Sequence, residues 1–311
     1  MERKLLLLML AALSAVSCFK NEVTGVEIGD LFIPVAYNLG GKVLDAYSGK
    51  GIAGVAVTDG YTYTVTNSDG IYYLKANEAA EFVYYSLPAG YASATPEGQP
   101  GRPCCWDKAD FSDGAIRIDF ELAPLSASSY TLVAMAGPEC GSASELSAWE
   151  NEVLTPLQES LEGYSNVYAI VLGNMVSESG MLGEFAEATS AVPLGTSYIS
   201  FYGCIGESEY VCAADFAAEY GPADYSFNLG GSHVVVMDNV NGLTSKQLEW
   251  LKQDLMNVPN YGTKKLYLCI SKPLEDDGTI ATQLSNFATY RVIDGYSVAS
   301  GASTYSTFSL K

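Results

Sequence analysis

The chain has 311 residues, 36 acidic against 16 basic side chains, a formal net charge of −20, seven cysteines and a single histidine, His233. So acidic a protein repels phosphate, which makes it a poor ligand for nucleic acid or anionic lipid headgroups, and one histidine excludes a zinc site of the usual His-rich kind. With 17% charged and 12% aromatic residues, 22 of them Tyr, the composition is that of folded, strand-rich extracytoplasmic domains rather than of a disordered chain, and the length suits two of them.

The first residues, Met1-Glu2-Arg3-Lys4, precede the apolar run Leu5–Leu13. A basic start followed by a short apolar stretch is the layout of a secretory signal peptide, and the run is too short for a transmembrane helix, which needs about 20 residues. It closes on Ala15-Val16-Ser17-Cys18. Small residues before a cysteine look like a bacterial lipobox, with residues 1–17 removed and Cys18 acylated. Several acyl chains on one cysteine would anchor the protein to a membrane stably, where a single chain binds only marginally. Removal of Glu2, Arg3 and Lys4 takes away a net +1, so the mature charge is −21.

Residues 18–37 read as a lipidated tether with one strand at Leu31-Phe32-Ile33. From residue 38 short strands alternate with turns. Lys42–Asp45, Ile52–Val57, Tyr61–Thr66 and Ile71–Leu74 are separated by Ser48-Gly49-Lys50-Gly51, Asp59-Gly60 and Asn67-Ser68-Asp69-Gly70. This spacing predicts a small antiparallel β-sandwich over residues 38–124. The run from Gly41-Lys42-Val43 through Asn67-Ser68-Asp69-Gly70-Ile71-Tyr72 resembles immunoglobulin-like or transthyretin-like domains. Val57-Thr58-Asp59-Gly60 and Ser86-Leu87-Pro88-Ala89-Gly90-Tyr91 look like the domain that precedes Bacteroidetes-type calcineurin-like phosphoesterases.

Over residues 125–311 the pattern changes to α/β. Tyr130–Ala136, Val167–Leu172, Ser232–Asp238 and Lys265–Ile270 are continuous apolar runs, as expected of strands buried on both faces. Ser144–Leu161, interrupted at Pro156, and Leu243–Leu255, with Leu248, Leu251 and Leu255 at helical spacing, are the predicted helices. Chemistry in such a domain sits at the C-terminal ends of the strands. The segments Tyr220–Asn228, Val234–Asn239 and Gln247–Leu251 look like the central part of calcineurin-like metallophosphoesterases. The resemblance implies a β-sandwich with flanking helices.

Active members of that family hold two cations through five blocks, clamping phosphate and generating a hydroxide nucleophile. Here the blocks keep their glycines and not their ligands. The first reads Gly137-Pro138-Glu139, without the family's Asp and His. The second is Gly173-Asn174, an amide where a bridging Asp belongs; the third, Gly203-Cys204-Ile205-Gly206-Glu207, lacks its Asn and His. The fourth is Ser271-Lys272-Pro273 in place of a His before Pro, and the fifth Gly295-Tyr296-Ser297 in place of Gly-His-x-His. The vestigial positions are Gly137, Glu139, Asn174, Cys204, Ser271 and Tyr296. His233, inside an apolar strand, reads as a packed structural residue. Glu139, Glu207 and Asp238 are the residues that would have to rebuild a magnesium or calcium site.

Cys140, Cys204 and Cys269 lie beside the first, third and fourth blocks, which converge in the family fold. The resemblance therefore suggests a disulfide locking those loops, with Cys204–Cys212 as a competing local pair and buried free thiols as the alternative. The expectation is a cell-envelope lipoprotein, held in the outer membrane and facing the periplasm or the exterior, whose phosphoesterase-like domain is non-catalytic. It would need no cofactor and would bind an envelope protein, a peptide or a glycan. The alternative is a metal-dependent phosphoester hydrolase with an atypical ligand set and a divalent metal.

Overall fold

A computed structural model describes residues 24–127, 129–257, 264–274, 278–285, 287, 289–300 and 305–310. The signal peptide and Cys18 lie outside the described residues. Among the described residues no helix is long and apolar enough to cross a membrane.

The segment read as a tether is partly ordered structure. Gly25–Ile28 and Leu31–Pro34 pair as an antiparallel hairpin. Its alternation turns Leu31 and Ile33 inward, 3% and 0% exposed, while Phe32 faces solvent. Asp30 fastens the hairpin to the domain behind it, pairing with Lys42 and Arg117 at 2.5 Å each.

The first domain is an all-β sandwich. One sheet has Leu39–Asp45 at its centre, flanked by Ile71–Leu74, Ile116–Arg117 and Phe120–Pro124, with Tyr91–Ala92 beyond the last. The other runs Tyr63–Val65, Ala56–Thr58, Phe82–Tyr85, Trp106–Lys108. Leu39, Val43, Val57, Tyr72, Val83 and Tyr85 fill the space between them. Two details depart from the expected pattern. Phe120–Leu122 runs parallel to Val43–Asp45, so the sandwich is not wholly antiparallel. Ile52–Val55 is irregular because its amides leave the ladder: Ile52 N–H donates to the Val43 carbonyl and Val55 N–H to the Thr66 hydroxyl.

The second domain stacks two four-stranded sheets. The first has the order Ser200–Cys204, Val167–Leu172, Tyr130–Met135, Tyr305–Leu310, its first three strands parallel and the last antiparallel. The second has the order Tyr225–Leu229, Ser232–Val236, Lys265–Ile270, Thr289–Asp294, with the first strand antiparallel. Strand alternation explains the apolar runs. One set of side chains, Leu132, Ala134, Tyr168, Ile170, Tyr202, Phe227, Val234 and Val236, meets between the sheets. The Tyr202 and Phe227 rings stack there at 4.4 Å. The alternate set on the first sheet, Val133, Met135, Ala169, Val171 and Phe201, lies in a core with Leu146, Trp149, Leu157, Phe185 and Phe216 of the helices Ala143–Trp149, Thr155–Ser160, Leu182–Ser190 and Ala213–Tyr220. On the second sheet Val235, Leu266, Leu268 and Ile270 share a core with Trp250, Leu251 and Leu255 of the helix Ser245–Met256. This is an α/β β-sandwich with flanking helices, preceded by a small all-β domain.

Pro156 does not end its helix. A wide turn over Glu150–Leu154 absorbs it, and the Thr155 hydroxyl donates to the Glu150 carbonyl at 3.0 Å. The helix Ser245–Met256 starts on a capping box, Thr244 with Gln247. The two domains share one core, and a main-chain bond from Asn228 N–H to the Leu87 carbonyl, 2.8 Å, joins their sheets.

Candidate functional site

The strand order places the loops after residues 135, 172, 204, 236, 270 and 294 at one end of the sandwich. They converge closely. A Cβ on Gly137 would stand 1.9 Å from the Gly173 carbonyl oxygen, and one on Gly206 would stand 2.3 Å from the Asn174 nitrogen. Only hydrogen fits at these two positions, which is why the blocks keep glycine. Glu139 N–H donates to the Asn174 carbonyl at 2.8 Å, and Gly295 N–H to the Ser271 carbonyl at 3.1 Å.

A cavity of about 200 Å³ lies among these loops, lined by Gly137, Glu139, Asn174, Ser271, Lys272 and Tyr296 with their neighbours. The structure thus brings together five of the six vestigial positions. The sixth, Cys204, is a correction. It is the last residue of its strand, wholly buried between the sheets, with its thiol toward the Ile205 and Met237 carbonyls. Burial, and then the neighbouring Cys269, push that thiol well above the ordinary range, which removes it as a thiolate ligand. The third loop instead presents Gly206, Glu207 and a residue the motif did not reveal, Glu209.

Glu209 lies in the turn Ser208–Cys212 and is 0% exposed. Its carboxylate accepts from Gly206 N–H at 2.8 Å, from Asn174 N–H and Val176 N–H at 3.0 Å each, and from the Ser208 hydroxyl at 3.2 Å. One side chain therefore ties the second block to the third. Around it the remaining groups are also spent on one another. Asn174 Nδ2 donates to Glu139 at 2.6 Å and its Oδ1 accepts from Ser208 N–H at 3.3 Å. Glu139 and Asn174 hold left-handed backbone, φ +54° and +48°, a conformation that costs a glutamate about 1–2 kcal/mol and persists only where surrounding bonds impose it. The Lys272 ammonium pairs with Glu207 and donates to the Val240 carbonyl at 3.0 Å. The Asn239 side chain accepts from the Ser271 and Lys272 amides.

These residues do not fit a pair of divalent cations. Among the described residues no three His, Cys, Asp or Glu side chains gather as a metal site would require. Asp238, one of the three carboxylates needed to rebuild a site, turns away, accepting from the Tyr210 hydroxyl and from Val240 N–H at 3.0 Å. The other two, Glu139 and Glu207, are held by Asn174 and Lys272.

His233 is 1% exposed, in the strand Ser232–Val236, and lies away from these loops near its beginning. Its ring bonds Asp254 at 2.8 Å and Asn228 at 3.1 Å. Asp254 also accepts from the hydroxyls of Ser226, 2.6 Å, and Tyr63, 3.4 Å, so the cluster braces the first domain against the second.

The six described cysteines are free thiols. No disulfide joins Cys140, Cys204, Cys212 and Cys269, and the sheet keeps Cys204 apart from Cys140 and Cys212. Cys204 and Cys269 point between the sheets, whereas Cys140 and Cys212 belong to the helical layer outside.

Fold and loops define an α/β sandwich protein whose strand-end loops gather at one end of paired sheets. Residues 38–125 match the family model described as the N terminal of calcineurin-like phosphoesterase. A solved purple acid phosphatase from yellow lupin (Lupinus luteus) seeds is similar over 70% of this chain and 50% of its own, with 11% identity and a TM-score of 0.36. The chain thus spans about half the length of that protein. No curated protein matches the sequence.

Proposed function

We propose that the protein is an envelope lipoprotein, anchored through Cys18, whose phosphoesterase-like domain binds a partner and does not hydrolyse phosphoesters. The observation that carries this reading is Glu209. Where the family uses cations to hold the second and third loops together, this chain has a buried carboxylate bonded to three backbone amides of those loops. An acceptor committed to three N–H groups is not available to a metal, and Lys272 adds positive charge to the same cavity. The chemistry a dinuclear site would supply, a metal-bound hydroxide and a clamp on phosphate oxygens, has no ligand set here to support it.

The test is elemental analysis of the purified mature chain together with phosphomonoester and phosphodiester assays. Well under one equivalent of metal after dialysis, and turnover equal to the buffer blank with added manganese, zinc or magnesium, is the expected result. Two tightly held ions, or metal-dependent hydrolysis abolished by Asn174→Ala, would restore the hydrolase.

A further inference from the structure

A second and larger cavity lies elsewhere. It is a groove of about 650 Å³ between the domains, walled on one side by Tyr61, Phe82 and Tyr84 of the first domain and on the other by Tyr210, Asp224 and Trp250 of the second. Three features give it a chemistry. Asp224 spends one carboxylate oxygen on Asp238 N–H, 3.0 Å, and the Gln247 amide, 3.1 Å; its other oxygen has no hydrogen bond among the described residues. Trp250 is 3% exposed, and its indole N–H makes no regular hydrogen bond, although it lies close enough to the Tyr84 hydroxyl to favour that group's ionised form. A buried donor without a partner is uncommon and costs about 1–3 kcal/mol. Finally, the groove already holds one ammonium: Lys246 Nζ lies 3.5 Å from the centre of the Tyr61 ring, an attraction that any alkylammonium would share.

We propose that this groove binds small hydroxylated ammonium compounds, the chemistry shared by amino sugars and amino alcohols. The open oxygen of Asp224 takes the ammonium and the Trp250 indole donates to a hydroxyl oxygen. The charge is complementary, since the groove adds Asp59, Glu81 and Asp238 to Asp224 against Lys246 alone. The proposal rests on the binding reading above and supplies its ligand class.

Burial pushes the Asp224 carboxyl up to about 6, against the pull of Gln247, with Asp238 adding to the rise. Lys246, Asp59 and Glu81 line the groove with it, and the other groups whose charge it influences, Tyr63, Tyr84, Tyr210 and Cys204, are all pushed upward and neutral near pH 6. Ammonium binding should therefore follow Asp224 ionisation and weaken about tenfold from pH 7 to pH 5.

The experiment is titration calorimetry of the mature full-length chain with glucosamine, ethanolamine, n-propylamine and glucose. We expect one or both hydroxylated amines to bind at least tenfold more tightly than glucose, glucosamine against ethanolamine distinguishing sugar from amino alcohol. Asp224→Asn should abolish this preference, and Trp250→Phe should weaken ethanolamine without affecting n-propylamine. Should Asp224→Asn fail to fold, the pH profile of the wild type and the Trp250→Phe series decide. Glucose bound as tightly as the amines, no binding of either amine, or a flat pH profile would overturn the proposal. None of these outcomes bears on phosphoester turnover, so the groove and the non-hydrolytic reading fail separately.

Discussion

Asp224→Asn should make the protein more stable at neutral pH, and the gain should vanish in acid. The wild-type carboxyl is raised from an ordinary 3.8 to about 6, chiefly by burial. Its folded form thus holds a proton more tightly than the unfolded chain does. That favours folding below pH 4, and the benefit is lost as pH rises through 6, where the folded state must carry a half-desolvated charge. At about 1.4 kcal/mol per tenfold change in proton affinity the full penalty is about 3 kcal/mol. The groove-facing oxygen keeps some solvent, which reduces the expected gain to about 1–2 kcal/mol. Asparagine is nearly isosteric and still offers an oxygen to Asp238 N–H and the Gln247 amide. Urea unfolding of both proteins at half-unit intervals from pH 4 to pH 8 reads the difference. A variant that is less stable at pH 8, or a difference that does not change with pH, would refute the reasoning.

Glu209→Ala should cost about 3–5 kcal/mol, since it leaves the amides of Asn174, Val176 and Gly206 buried and unpaired; urea unfolding at pH 7 measures it, and a loss below 1 kcal/mol would show that the loops do not depend on this carboxylate. Cys18→Ala should release the protein from membranes; fractionation of cells labelled with palmitate checks this, and an unlabelled wild type with an equally membrane-bound variant would exclude the anchor.

The fold was largely legible because its signals are local. Continuous apolar runs such as Val167–Leu172 mark strands buried on both faces, and Leu248, Leu251 and Leu255 at helical spacing mark the helix found at Ser245–Met256. The hairpin at residues 25–34 and the parallel pairing of Phe120–Leu122 with Val43–Asp45 were not legible, because each depends on a surface supplied from far along the chain. The site was half legible. The glycines that the five blocks keep were visible in the sequence, but their reason was not: Gly137 and Gly206 are where backbone touches backbone. Cys204 was misplaced because its strand, Ser200–Cys204, is short and contains Gly203, so it gives little periodic signal. Glu209 sits among Glu207, Ser208 and Tyr210 and reads as surface; only the amides of Asn174 and Val176, more than thirty residues earlier, bury it.

Two acidic side chains of the second domain carry opposite physical signatures, and the contrast bears on where function lies. Glu209 is wholly buried with its oxygens saturated by backbone donors, the arrangement in which a carboxylate stabilises a fold. Asp224 keeps an oxygen open, is raised toward neutrality by burial, and faces a cavity in which an indole N–H also lacks a partner. The first arrangement closes the strand-end loops upon one another. The second leaves polar capacity unspent, at a cost that a single nitrogen-for-oxygen exchange would remove. Groups that weaken a fold in this way cluster at sites that use them, and that is the physical ground for testing the groove between the domains with ammonium compounds.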